Sequence, residues 1–459
     1  MIYFKQSDNK GGSMRIVVNL KRRLGIIKPM NAVNNGPAGS LVRGTGNAEK
    51  YAALKIPYAR LHDSSFSSYY GGEFTVDVHR IFRDFSRDAD DPTAYSFKST
   101  DEYLNKIVDA GTKIFFRLGA SIEHGEKRGT YPPPDNLKWA KICEKIIRHY
   151  NEGWADGFFF GIEYFEIWNE PDLRKGEESP TWQGTNEEFI EFFKTSLSYL
   201  KEKFPTLKIG GAAFSSIWNP RAREAIKSIA EANIPIDFIS YHWYGKDVAE
   251  LRATVKEAAD FVKSVGLSDV LLILNEYNYV KGWRGEDWKY SLRMTKRLMG
   301  ASFVAGVMAL GQSLPVDMLM YYDARPSGMN GIFDTDTLEP LPTYHALLMF
   351  REVKEYGGYV PTRQYLREGI YSVASTNGAS AGIMITHFNP KESAPPTSVE
   401  LDFRLGRMSA PLVAEYYLLD GEHNAECTHR ETVSSDGFTL TLKIPNYSTY
   451  FIRLTKKED

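Results

Sequence analysis

The sequence predicts an α/β protein, a (β/α)8 TIM barrel carrying a C-terminal β-sandwich. Two observations carry that prediction. Between Gly25 and Tyr322, apolar runs of strand length alternate with amphipathic helical segments eight times, and a barrel of this kind takes about 250 residues plus loop insertions. Near Tyr356-Gly357-Gly358-Tyr359 the pattern changes to short alternating strands separated by turn chemistry. A doubly wound open sheet is the rival arrangement, but no Gly-rich phosphate loop follows any strand.

Taken in order, residues 1–23 read as an extension with a polar tract, Asp8 to Gly12, followed by a strand candidate from Met14 to Leu20. Met1 to Ser13 lacks the apolar core of a secretory leader, and Met14 could be a native start. A leader already removed would leave no trace, so the compartment stays open. Residues 24–350 hold the barrel. Its expected strands are Gly25 to Met30, Ile56 to His62, Lys113 to Leu118, Tyr164 to Trp168, Leu207 to Ala212, Asp237 to Tyr241, Val270 to Leu274 and Asp317 to Tyr322. The helical patterns between them include Asp101 to Ala110, Asn136 to Tyr150, Asn186 to Lys203, Val248 to Val265 and Tyr290 to Ala305. Ser99-Thr100-Asp101-Glu102 and Thr185-Asn186-Glu187-Glu188 read as N-caps.

Residues 351–459 read as the sandwich, with strands at Gly369 to Ser375, Gly382 to His387, Ser398 to Phe403, Leu412 to Leu419, Phe438 to Ile444 and Tyr450 to Leu454. Turn signals are Asn377-Gly378, Asp420-Gly421 and Asp436-Gly437. The early strand, Arg15 to Asn19, is expected to pair with this sheet and tie both chain ends together.

Composition narrows the function. With 42% hydrophobic and 25% charged residues, the chain is ordinary for a globular protein. A net charge of -2 and no basic stripe speak against a nucleic-acid partner. No run of 18 apolar residues exists to span a membrane. The two cysteines, Cys143 and Cys427, stand in unrelated contexts, which argues against a disulfide scaffold and against a zinc site. No cofactor and no metal are expected.

Functional side chains of such a barrel collect at the C-terminal ends of its strands. Strand two ends Arg60-Leu61-His62, strand four Trp168-Asn169-Glu170-Pro171, strand six His242-Trp243-Tyr244, and strand seven Leu274-Asn275-Glu276. Strand parity puts Glu166, Trp168 and Glu170 on one face, and Leu272, Leu274 and Glu276 on another. An indole beside Glu170 would suit a general acid. Glu170 and Glu276 then face each other across the barrel mouth, and a carboxylate pair is what glycosidic bond cleavage requires. Arg60, His242 and Tyr244 are expected to hydrogen-bond Glu276 and keep it ionised. Taken singly, a strand-end Arg is commonly a structural ion pair and a His beside aromatics is commonly core. Their joint occurrence on four strand ends is what points to a site.

Trp168-Asn169-Glu170-Pro171 resembles the acid/base signature of the clan A glycoside hydrolases, and the flanking stretches resemble glycoside hydrolase family 39, the β-xylosidases and α-L-iduronidases. Those stretches are Lys28 to Pro37, Arg60-Leu61-His62-Asp63, Asp91 to Tyr103, and Leu418 to Asn424. The resemblance implies that Glu170 is the acid/base and Glu276 the nucleophile of a retaining double displacement. It implies that Asn169 reads the sugar 2-hydroxyl, and that His62 and His242 contact sugar or support the nucleophile. Two departures stand out: Asn275 precedes the nucleophile where Thr or Ser is expected, and strand eight ends Tyr321-Tyr322-Asp323 rather than with a Trp. Tyr322 is the substitute platform, and Asp323 a group that could read a hydroxyl.

Trp168, Trp182, Trp218, Trp243, Trp283 and Trp288 all fall at or after expected strand ends. Aromatic walls suit sugar faces, core packing accounts for about half of them equally well, and Trp283 and Trp288 are the best platforms. The resulting expectation is an exo-acting O-glycoside hydrolase, β-xylosidase-like, removing terminal β-xylose from plant-type oligosaccharides. The alternatives are an arabinoside, uronide or hexoside on the same machinery, with Lys281 and Arg284 as the cations a uronide needs. A catalytically weak carbohydrate-binding protein is a further one. A homo-oligomer could complete the pocket with a neighbour's loop.

Overall fold

The computed structural model describes residues 2–3, 14–40, 45–62, 75–122, 127–173, 181–406, 408, 411–433 and 437–456; Asp8 to Gly12, Asp63 and Asp436 lie outside them. Eight parallel strands close a barrel in sequential order: Ala32–Asn34, Tyr58–Arg60, Lys113–Leu118, Tyr164–Ile167, Lys208–Phe214, Phe238–Gly245, Leu271–Tyr279 and Met318–Tyr321. They are called strands one to eight below.

Strand one is not Gly25 to Met30. That segment lies against the sandwich edge, where Ile26 bridges Gly358 and the Ile27 N–H donates to the Gly357 carbonyl. Lys28 turns its ammonium onto the carbonyls of Gly311, Leu314 and Val316 at the end of a barrel helix. The pairing strand is instead the Asn-flanked Ala32-Val33-Asn34. An apolar run alone could not distinguish a barrel strand from a segment buried between two layers.

The helix Asn186–Lys203 has the expected limits, and its Thr185–Glu188 capping box forms with both hydrogen bonds in place. The other expected cap does not form: that helix starts earlier, at Lys98, behind Phe97. The pattern from Tyr290 to Ala305 is two helices, Gly285–Thr295 and Leu298–Gln312. The second is buried nearly all round, because a barrel lies on one side and the sandwich on the other.

The sandwich consists of a six-stranded and a four-stranded sheet. Met14–Asn19 joins the smaller sheet, pairing in parallel with Thr397–Arg404. Three strands of the sandwich were not expected from the sequence: Ile2–Tyr3, Gly358–Val360, and Asn424–Val433, an edge strand with mostly polar, partly exposed residues. Ile370–Thr376 and Ala381–His387 are buried on both faces. Ile370, Ala374, Ile383 and Ile385 pack inside the sandwich, whereas Tyr371, Val373 and Met384 pack into the core shared with the barrel helices. Among the described residues, no helix is long and apolar enough to cross a membrane.

Candidate active site

The barrel interior changes character from floor to mouth. Ala32, Phe115, Tyr164, Phe238, Ile273, Met318 and Met320 form an apolar floor. Above it lies a polar layer of Asn34, Arg60, Glu166, Ser240 and Asn275, all fully buried. Glu170 and Glu276 sit at the mouth, the former 9% and the latter 4% exposed, so both can meet a solute while remaining largely desolvated.

Arg60 organises the layer. Its Nε donates to Glu166 Oε2 (2.6 Å), one Nη to Glu276 Oε1 (2.8 Å) and Asn34 Oδ1 (3.0 Å), and the other Nη to Asn169 Oδ1 (2.6 Å). Burial alone would lower the guanidinium's pKa, but the charges of Glu166 and Glu276 outweigh it and raise it. Replacing Arg60 with Met leaves two carboxylates without their shared counter-charge, and breaking a buried pair costs about 3–5 kcal/mol. Urea unfolding should show a loss of that order; a loss near zero would mean the guanidinium does not hold this layer together.

Glu276 is held from four sides. Besides Arg60, the Tyr244 hydroxyl donates to Oε2 at 2.7 Å, His62 Nε2 lies 3.1 Å from Oε1, and His242 Nδ1 lies 3.4 Å from Oε2. Burial would push the Glu276 carboxyl up, yet His242, His62 and Arg60 together hold it well below the usual carboxylate range. Tyr244 is pushed the other way, its proton retained by burial and by the adjacent Glu276 charge.

His242 serves both carboxylates, supporting Glu276 as expected from sequence and lying closer still to Glu170. Its Nδ1 lies 2.7 Å from Glu170 Oε1. Its buried Nε2 has no partner among the described residues. The nearest oxygens of Glu170 and Glu276 and this ring nitrogen all lie within 4.8 Å of one another. Such a trio is of the kind that holds a metal ion, but the Arg60 guanidinium and the Tyr244 hydroxyl already engage the two Glu276 oxygens. We read it as a charge and proton network.

Two parity arguments fail here, each for a local reason. Strand four stops at Ile167, and Trp168 and Glu170 take left-handed backbone, at φ 74° and 46°. The Trp168 N–H donates to Leu118 and that of Glu170 to Ala213, so the turn stays pinned to both flanking strands. Gly119 permits the close approach, since a Cβ there would stand 3.0 Å from the Trp168 Cα. Trp168 consequently turns outward onto Trp139, Trp182 and Phe192, and it is not the wall of Glu170. On strand seven, Tyr241 pairs with Leu274 but His242 with Glu276, so Asn275 is an inserted residue. Leu272 and Leu274 face the helices, while Asn275 and Glu276 both turn inward.

Asn169 presents its oxygen to Arg60 and leaves its buried Nδ2 without a partner among the described residues, as a donor awaiting a ligand would. Tyr322 stands edge-on to His62 (5.3 Å) and Tyr244 (6.4 Å). Asp323 is fully buried and pairs with Arg325 at 3.2 Å, which weighs against its reading a hydroxyl. Trp283, 56% exposed, stacks on Trp288 and meets the edge of Tyr244 at 5.0 Å. Trp168, Trp182 and Trp243 are core. Lys281 pairs with Asp287 and covers Tyr290, lining a groove toward the sandwich with Lys246 and Lys391.

Asp172, two residues beyond Glu170, accepts both the N–H and the hydroxyl of Ser215. Burial, opposed by those bonds and aided by Glu170, pushes its carboxyl up to about 6. A carboxyl raised in the folded state adds stability that is complete below about pH 4 and lost as pH rises through 6. A gap of about two units amounts to roughly 3 kcal/mol. The denaturant midpoint of the native chain should therefore fall, relative to Asp172→Asn, between pH 4.5 and 7; parallel profiles would refute it.

The sequence reading gave Glu166 a face but no role, and named neither Asn34 nor Ser240 for the site. The available signal was Glu166 itself, an ionisable residue within an otherwise apolar strand.

A family model described as "Glycosyl hydrolases family 39" matches residues 48–278. A β-xylosidase from Caldicellulosiruptor saccharolyticus is 28% identical over 255 residues, covering 51% of this chain. An α-1,4-L-rhamnosidase from Formosa agariphila is 24% identical over 215 residues, covering 45%. The matches span 47% and 41% of those relatives' own lengths. Among solved structures, a glucosidase from Croceicoccus marinus superposes with a TM-score of 0.79 at 19% identity, covering 98% of this chain and 100% of its own. A monomeric β-xylosidase from Caulobacter crescentus CB15 does so at 0.72 and 14%, covering 97% and 100%. These two show the shared barrel-and-sandwich fold.

Proposed function

The chain belongs to glycoside hydrolase family 39, and from that premise we propose a retaining exo-glycosidase that removes terminal β-linked xylose from plant-type oligosaccharides. The observation that supports the mechanism is that one oxygen of Glu170 and one of Glu276 lie within 4.8 Å of each other, with His242 Nδ1 reaching both carboxylates. Retaining pairs stand about 5–5.5 Å apart, and inverting pairs, which must admit a water, about 6.5–9.5 Å.

Each carboxylate then has one task. Glu276, kept ionised by Arg60, the two histidines and Tyr244, attacks the anomeric carbon as the glycosidic C–O bond breaks. Glu170 gives its proton to the departing oxygen, leaving a glycosyl ester on Glu276. Glu170 then takes a proton from a water whose oxygen attacks the same carbon, so the sugar leaves with its configuration retained and both carboxyls return to their starting state. Asn169 donates to the 2-hydroxyl as the oxocarbenium-like charge develops. Tyr322 and Trp283 supply apolar faces.

Xylose rests on the relative named a β-xylosidase. Of the two cations the uronide alternative would use, Lys281 and Arg284, Lys281 is engaged by Asp287 and Tyr290. The test has two parts. NMR of the first-formed sugar should show the β-anomer, and a panel of 4-nitrophenyl glycosides should be cleaved fastest as the β-xyloside. An α-anomer as first product would sink retention; a faster arabinoside, glucuronide or glucoside would move the sugar assignment.

A further inference from the structure

Glu166 carries no part in the two proton transfers, yet both of its oxygens are engaged by close donors. One oxygen accepts from Ser240 Oγ and Asn275 Nδ2, both at 2.6 Å, and the other from Arg60 Nε at 2.6 Å. The donors come from strands six, seven and two, and Glu166 is fully buried, so it touches no substrate. Asn275, the residue that departs from the family pattern, is thus explained: its amide reaches back to Glu166.

We propose that Glu166 is a positioning residue for the reaction, fixing the plane of the Arg60 guanidinium and balancing its charge while Glu276 is esterified. This rests on Glu276 being the nucleophile. The orientation argument is geometric. A guanidinium is planar, so its Nε bond sets where both Nη groups point; here one reaches Glu276 and the other Asn169. The charge argument follows from the covalent step. Once Glu276 becomes an ester it is neutral, and among the described residues Arg60 then keeps a counter-charge only through Glu166. A buried guanidinium with none is strongly disfavoured. Without Glu166, Arg60 would bind ionised Glu276 alone, stabilising the nucleophile before attack and leaving an unpaired cation after it.

Glu166→Gln removes the charge with little change of shape, and Glu166→Asp keeps the charge. The readout is inactivation by 2,4-dinitrophenyl 2-deoxy-2-fluoro-β-xyloside, which reports formation of the glycosyl ester alone, beside kcat and KM for 4-nitrophenyl β-xyloside. Glu166→Gln is expected to slow inactivation about 10²-fold with KM nearly unchanged, and Glu166→Asp to recover at least about tenfold of that loss. A Glu166→Gln protein inactivated at the native rate, whatever its melting temperature, overturns the proposal. So does a folded Glu166→Asp no faster than Glu166→Gln. Should Glu166→Gln not fold, Ser240→Ala and Asn275→Ala loosen Glu166 while keeping its charge. Each should slow inactivation several-fold, and native rates in both overturn the proposal. Peptide mapping separates the two assignments: a label on Glu276 with an unaffected Glu166→Gln rate sinks the positioning role alone, and a label elsewhere sinks the nucleophile.

Discussion

Glu276→Ala is expected to cut turnover of aryl β-xylosides by about 10⁴- to 10⁶-fold while the chain stays folded. The loss should be that large because the proposed mechanism makes this residue the nucleophile of the first step, and among the described residues the neighbouring carboxylates are otherwise placed: Glu170 is held by His242, and Glu166 is fully buried. The fold should survive because Arg60 retains Glu166 and Asn169. The alanine leaves room for a small anion on the face opposite the leaving group. Added azide should then restore cleavage of an activated substrate and yield the glycosyl azide of inverted configuration. Retention of near-native turnover in Glu276→Ala would remove the residue from the mechanism.

Glu170→Ala should show a loss that depends on the leaving group. General acid catalysis contributes about 10²- to 10⁴-fold, so natural oligosaccharides, whose departing alkoxide needs a proton, should lose that much. A dinitrophenyl xyloside needs no such proton. Its first step should be nearly unimpaired, the glycosyl ester should accumulate because no base activates water, and a burst of dinitrophenolate should precede slow turnover. Azide should accelerate that turnover and give the azide of retained configuration, since it attacks the ester on Glu276 from the face that water would use. An equal loss on both substrates would point to a binding role for Glu170 instead.

The two variants differ because the network is asymmetric. Glu276 is surrounded by donors and cations on both oxygens, which fixes one charge state. Among the described residues, Glu170 has a single close side-chain partner, His242, and it is the more exposed of the pair. A nucleophile needs the first environment, and a group that must give and regain a proton needs the second.

By itself the sequence determined the barrel, the sandwich and the two glutamates, because those follow from local pattern. The periods of two and about 3.6 are set by backbone geometry, and a Trp-Asn-Glu-Pro strand end is legible wherever it stands. Where a strand runs undisturbed, residues two apart do turn inward together: Arg60 with His62 at the end of strand two, and His242 with Tyr244 on strand six. Only the tertiary structure decided the rest. Strand one is Ala32–Asn34 because pairing with strands two and eight selects it over a more apolar neighbour. Trp168 turns outward and Glu276 inward because a left-handed turn and a one-residue insertion break parity at the two strand ends that carry Glu170 and Glu276. Glu166 became a member of the site only when strands two, four, six and seven closed around it. A buried charge is explained by its partners, and those partners come from across the barrel.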